Sequence, residues 1–262
     1  MSMPSLLAVA ASSAYSASAN SSNQVTSSGA VAPDYTTVHC LDCWAGWGIK
    51  VLLHTVSAVY GSWILPTVTC SSTVYTQVDF LAGIDKAPPG ASSPDFEYAG
   101  VAAVCPAGGV VSFYGLEGNN SISSGSSLTP VAGDVIYASI VLSSGMFTYT
   151  VKDITHPASV TFSTSASGAT RDYAECIVTM ALTTIPLAKF GVTSFGQYYT
   201  DQKATCYAKV GTLLEPIGGF GAHVIKYILY NSANAVVLAT PSLIGPPADK
   251  SSFKIKWLAS GP

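Results

Sequence analysis

The chain has 262 residues, enough for one large domain with a well-buried core. Only 10% of them are charged, against a typical ~25%, and the net charge is −3, so the cationic surface that phosphate binding needs is missing and nucleic acid is not expected as a partner. No apolar run reaches the ~18–20 residues of a transmembrane helix, and no membrane span is expected.

Residues 1–35 are rich in Ser, Ala, Asn and Thr and read as a flexible leader or a degraded export signal, with a small-residue Ala17-Ser18-Ala19 but no Lys or Arg ahead of the apolar run. Residues 36–262 read as one β domain. Short runs rich in Val, Ile, Thr, Tyr and Phe alternate there with Gly, Pro, Ser and Asn clusters: 47–60, 73–82, 108–114, 134–142, 146–153, 158–164, 174–180, 187–195, 222–230, 235–239 and 252–258. The stretch 134–153 predicts a hairpin turning at Ser143-Ser144-Gly145, with Phe147, Tyr149 and Val151 sharing one face of the return strand. Segments 86–94 and 117–130 read as surface loops. No segment carries a long helical period, so the fold class is all-β, a sandwich or barrel.

The six cysteines, Cys40, Cys43, Cys70, Cys105, Cys176 and Cys206, form an even set that suggests disulfides, with the pairing open. The CxxC at Cys40 and Cys43 has neither a second CxxC nor a His pair at ligand spacing, so no metal and no cofactor are expected. GxSxG, HExxH, P-loop and GxGxxG motifs are absent. The informative residues are carboxylates in apolar strands: Asp85 after FLAGI, Glu97 in DFEYAG and Glu175 in YAECIV. Such a group is costly to bury unless paired. It either lies on a solvent-facing sheet surface or is held in a groove for acid–base work.

Several phrases, in order, resemble the glutamic peptidase (eqolisin) family, bacterial members especially: CWAGW at 43–47, GSWILPTVTC at 61–70, FLAGID at 80–85, GDVIYASIVLSSGMFTYTVKDIT at 133–155, RDYAECIV at 171–178, LAKFGVTSF at 187–195, and VLATPS at 237–242 with SSFKIKW at 251–257. The resemblance covers about residues 40–262. It implies a double antiparallel β-sandwich of two bent, roughly seven-stranded sheets, with a peptide groove on the concave outer sheet. It also implies a Cys70–Cys105 disulfide, secretion, and peptide hydrolysis at acid pH by a Glu that serves as general base and then acid, helped by a Gln.

The sequence departs from that pattern at the chemistry. The position matching the catalytic Glu is Thr179, and a hydroxyl cannot exchange protons usefully in acid. The position matching the Gln is Tyr98, whose phenol can still donate a hydrogen bond. Leu81 replaces a groove Trp, Phe113-Tyr114-Gly115 replaces Trp-Tyr-Glu, and Asp85 matches. Cys176 replaces a Trp and reads as a buried thiol, while Cys206 has no assigned partner. Glu175 and Thr179, four apart, share a strand face. Glu97 faces away from Tyr98. The expected function is a non-catalytic family member that keeps a groove for a peptide or polymer. The alternatives are an acid endopeptidase rearranged around Glu175 or Glu97, and an extracellular structural or assembly subunit.

Overall fold

The computed structural model describes residues 35–41, 44–85, 96–119, 122–125, 128–180, 184–231, 236–245 and 249–261. Residues 1–34 of the expected leader and the 86–94 loop lie outside them, and Tyr35, expected as the leader's last residue, begins the first strand. In chain order the strands are β1 Tyr35–Leu41, β2 Trp44–Lys50, β3 Val56–Ile64, β4 Thr76–Ile84, β5 Glu97–Cys105, β6 Ser112–Asn119, β7 Ile122–Gly125, β8 Val135–Ser143 and β9 Met146–Asp153. They continue with β10 Ala158–Ser165, β11 Tyr173–Thr179, β12 Val192–Phe195, β13 Tyr207–Val210, β14 Leu213–Pro216, β15 Val224–Tyr230, β16 Val237–Pro241 and β17 Phe253–Trp257. One helical turn, α1 Gln197–Thr200, precedes β13.

These strands form two packed layers, as expected of an all-β sandwich. The outer sheet runs β1-β15-β2-β11-β4-β5-β6-β7, antiparallel except for the edge pair β1–β15. The inner sheet runs β10-β9-β8-β3, and the far edge of β3 pairs with both β12 and β13. β17 and β16 extend the sheet beyond β12, and β16 also pairs with β15, so the two layers share one hydrogen-bonded seam. Each sheet exceeds the expected seven strands because short edge strands, β7 and β14 among them, add pairings.

Alternation builds the core. The inward positions Ala45, Trp47 and Ile49 of β2, Phe80 and Ala82 of β4, Val101 of β5, and Cys176 and Val178 of β11 are all buried. Trp63, Ile136, Ile140, Phe147, Phe195 and Phe253 from the inner sheet belong to the same cluster. Phe195 and Phe253 stack with centroids 5.2 Å apart, and buried side chains of this size contribute roughly 1.5–3 kcal/mol each. The 134–153 hairpin turns on Ser144 (φ 50°) and Gly145 (φ 76°), the two left-handed residues of a tight two-residue turn. The run 47–60, expected as one strand, breaks into β2 and β3 at His54, whose φ is 61°. The disulfide Cys70–Cys105, with Cα atoms 5.1 Å apart, ties the loop before β4 to the end of β5. Cys40 is also disulfide-bonded; Cys43 lies outside the described residues.

Buried carboxylates brace the loops. Asp134 accepts the Val131 N–H at 2.7 Å, and the His156 imidazole lies 3.0 Å from its other oxygen. Asp153 accepts the His156 N–H at 2.9 Å, which closes the β9–β10 turn. Asp85 accepts the Asp172 N–H at 2.9 Å. Burial raises the carboxyl pKa of Asp85, opposed by hydrogen bonds from the Arg171 and Asp172 backbone. Burial, reinforced by Asp134, also raises that of Asp153. Because both folded values exceed the ordinary 3.8, the stability these groups contribute is fully present below 3.8 and is lost as pH rises through the folded values. Thermal melts between pH 7 and pH 3 should show Asp85→Asn and Asp153→Asn gaining less on acidification than the unaltered protein. Identical slopes in all three would refute the assignment.

Candidate functional site

The outward positions of the outer sheet fall into transverse rows fixed by register. One row reads Ile225, Gly48, Glu175, Gly83, Tyr98, Gly118 across β15, β2, β11, β4, β5 and β6. The next reads Tyr227, Gly46, Ile177, Leu81, Gly100, Leu116. A third reads Trp44, Thr179, Asp79, Ala102, Tyr114 from β2 to β6. Tyr98 and Thr179 thus face the same way, but their rows are four residues apart along β4, about 13 Å at ~3.3 Å per residue.

Glycine alternates with larger side chains along the first row and recurs in the second, and Gly46, Gly48, Gly83 and Gly100 are sterically required. A Cβ on Gly100 would stand 1.9 Å from the Phe80 carbonyl oxygen, and one on Gly48 would stand 2.7 Å from Cγ of Glu175. A Cβ on Gly83 would meet the Phe96 ring at 2.5 Å and Oε2 of Glu175 at 3.1 Å. The Glu175 carboxyl therefore lies across the glycine rows, under Phe96 and beside Tyr227, and has no exposure. Trp44, Leu81, Phe96, Tyr173, Ile177, Ile225 and Tyr227 join Val38 and Cys40 of β1 in a second apolar cluster, with Tyr98 and Leu116 packed on its edge. One end of the outer face is thus an aromatic layer seated on the sheet.

The other end is polar. The Tyr75 hydroxyl donates to Oε1 of Gln77 at 2.9 Å, and Nε2 of Gln77 donates to Oδ1 of Asp79 at 2.8 Å. Asp79 is buried and is the direct cross-strand neighbour of Thr179, whose hydroxyl donates to the Met180 carbonyl at 3.1 Å. Ala102 separates Asp79 from Tyr114, which is 41% exposed. The Tyr75 phenol pKa is raised by burial and by the charge of Asp79 and the nearby Tyr114. A carboxylate fixed by a carboxamide, beside a hydroxyl and two phenols, can accept and return a proton and can bind the amide groups of an extended chain.

The remaining expected residues are dispersed. Glu97 points between the sheets, as alternation from Tyr98 requires, and accepts the Tyr149 hydroxyl from β9. Burial first, then the hydrogen bond and charge of Glu97, raise the Tyr149 phenol pKa. Of Phe113, Tyr114 and Gly115, expected together in the groove, only Tyr114 faces outward. Phe113 enters the core, and Gly115 sits on the inward register and donates its N–H to Leu128. Asp85 has a φ of 70° and caps the end of β4 against residue 172, so it serves the loop. Sequence reasoning missed Gln77 and Asp79, although the alternation Tyr75, Gln77, Asp79, Leu81 places them on the same face as Leu81.

The family model described as the Peptidase A4 family matches residues 42–234. A crystal structure of scytalido-glutamic peptidase with a transition-state analog inhibitor is similar over 83% of this chain and 98% of that one, with TM-score 0.64 and 16% identity. A structure of SCP-B, a member of the eqolisin family of peptidases in complex with the tripeptide Ala-Ile-His, is similar over 82% of this chain and 100% of that one, with TM-score 0.59 and 16% identity. No curated protein matches the chain. At these identities the two structures speak to the fold. That fold relies on the close approach of β4 and β5 at Gly100, so Gly100→Ala should lower the unfolding free energy by about 3 kcal/mol in urea titrations. A loss below about 0.5 kcal/mol would show that the ladder yields easily there.

Proposed function

The chain belongs to the Peptidase A4 family, the eqolisins or glutamic peptidases, and from that premise we propose that it binds an extended peptide on the outer face of its outer sheet without hydrolysing it through positions 98 and 179. One observation carries the reading: the residues there are a phenol and a hydroxyl, and Thr179 spends its hydrogen on the adjacent carbonyl of Met180. Neither replaces a carboxyl that must take a proton from water and pass it to a leaving nitrogen. The two carboxyls offered as substitutes are engaged elsewhere. Glu97 is bonded to Tyr149 between the sheets, and Glu175 is fully buried beneath the aromatic layer. The polar line Tyr75, Gln77 and Asp79 with Tyr114 supplies hydrogen-bonding groups along the face, and Leu81 and Tyr98 border its apolar end. Structures of scytalido-glutamic peptidase with a peptide based transition state analog and of SCP-B with a tripeptide support a peptide as the ligand class. The disulfide-bonded cysteines favour an exported protein.

A second reading rests on the contact between Gln77 and Asp79. In this reading Asp79 takes the proton of the attacking water and later delivers it to the leaving amine, while Gln77 fixes the carboxylate. This places the acid–base group one strand away from position 179.

Purified protein incubated with denatured casein from pH 2 to pH 5 separates the two. The first reading expects intact casein and a peptide affinity that falls about tenfold in Gln77→Ala and Tyr114→Ala. Cleavage that Asp79→Asn abolishes and Glu175→Gln leaves intact would establish the second reading. Cleavage that survives Asp79→Asn would defeat both.

A further inference from the structure

The outer face leaves two nucleophilic side chains unused. Cys176 lies mid-way along β11 on its inward side, and Cys206 immediately precedes β13 with φ 52°. Both are fully buried free thiols, and Cys206 is near enough to help raise the pKa of the Cys176 thiol. The Cys176 sulfur also points at the Tyr60 carbonyl of β3, 3.8 Å away, and lies 3.4 Å from the position a Cβ would take on Gly61. Cys176 therefore leaves the outer sheet and ends against the inner one, where Cys206 enters β13 beside β3.

We propose that Cys176 and Cys206 form an inter-sheet disulfide site that closes when the chain folds in an oxidising compartment. Three observations favour it. The two residues are neighbours across the core: the Cys176 sulfur faces the Tyr60 carbonyl, and Tyr60 pairs with Tyr207, the residue that follows Cys206. Cys70, Cys105 and Cys40 are disulfide-bonded, so the remaining described cysteines, Cys176 and Cys206, form a complete pair. Each residue also sits in or beside a strand held by register, so both ends of the bridge are anchored.

The oxidant is a disulfide donor of the kind that oxidises exported proteins. One cysteine, as its thiolate, attacks the donor disulfide, forming a mixed disulfide and releasing one donor thiol. The second cysteine then attacks the mixed disulfide, forming the Cys176–Cys206 bond and releasing the other donor thiol. Two protons and two electrons pass from the protein to the donor. Burial, the neighbouring Cys206 and the charge of Glu175 hold the Cys176 thiol well above its ordinary pKa. The folded, reduced form is therefore a poor nucleophile shut away from the donor, and exchange belongs to the stage before the two sheets close. Once formed, the bond would pin β11, which presents Glu175, Ile177 and Thr179 on its opposite face, to the inner sheet.

The test is to refold the full chain in a glutathione redox buffer, denature it in the presence of an alkylating reagent, digest it without reduction and map the peptides. The expected result is a linked pair of peptides containing Cys176 and Cys206, with neither cysteine alkylated. Recovery of both as alkylated thiols overturns the proposal. Thermal melts give an independent readout. If the bridge exists, Cys206→Ala lowers the midpoint by roughly 5–10 °C and the Cys176→Ala/Cys206→Ala pair lowers it little further, because either change removes the same bond. Fully additive losses overturn the proposal as well.

Discussion

The pairing of β11 between β2 and β4 is the constraint on which both faces of the molecule depend. All seven residues from Tyr173 to Thr179 are buried, so the strand has no solvent-facing side to absorb an error. Its inward residues, Ala174, Cys176 and Val178, complete the core. Its outward residues, Glu175, Ile177 and Thr179, define three successive rows of the outer face. A slip of one residue would drive Glu175 and Thr179 into the core and turn Cys176 and Val178 outward. The register is secured from both sides: Gly46 and Gly48 let β2 approach closely, and Gly83 makes room for the Glu175 carboxyl.

That register also explains why the outer face is divided. At the end near β1, bulky side chains from β15, β2 and β11 lean over the glycines and shut Glu175 away. A carboxyl in such a place gains from hydrogen bonding and loses from desolvation, and it has no route to a shared water on an open face. At the end near Tyr75 the cross-strand positions shrink to Ala102, and the side chains stay polar. Side-chain size decides which carboxylate the face can offer. Glu175 is covered because its neighbours in the row are glycines that admit aromatic rings above them. Asp79 is held beside Thr179 by an amide two residues away.

Much of the architecture was legible in the sequence, and the failures have physical causes. The β8–β9 hairpin was readable because Ser144-Gly145 supplies the two left-handed residues of its turn. β11 was readable from its apolar run. β5 was missed because Ala and Gly supply four of the nine residues of EYAGVAAVC. Those small residues dilute the signal of Tyr98, Val101 and Val104, and the strand is held by pairing on both edges. The break at His54 was missed because a left-handed His leaves no mark in an apolar pattern. Grouping Phe113, Tyr114 and Gly115 as one groove segment overlooked that adjacent strand residues face opposite ways. Glu97 and Glu175 stood out as charges in apolar strands, yet that signal reports burial of either kind. Only cross-strand register distinguishes a carboxyl between the sheets from one on the outer face.

The period of two also bears on how such a protein can keep its fold while its chemistry changes. Packing energy resides on the inward positions, where Trp47, Trp63, Phe80, Phe195 and Phe253 are buried. The chemistry of this fold would have to sit on the outward positions of the same strands. Exchanging a carboxyl for the Thr179 hydroxyl, or a carboxamide for the Tyr98 phenol, alters no inward contact of β11 or β5. The link between Glu97 and Tyr149 shows the converse, because it places polar chemistry on the inward side of β5 and joins the two sheets there. The neighbours Glu97 and Tyr98 therefore answer to different demands, one to the union of the layers and the other to whatever meets the outer face. The first can stay fixed while the second drifts.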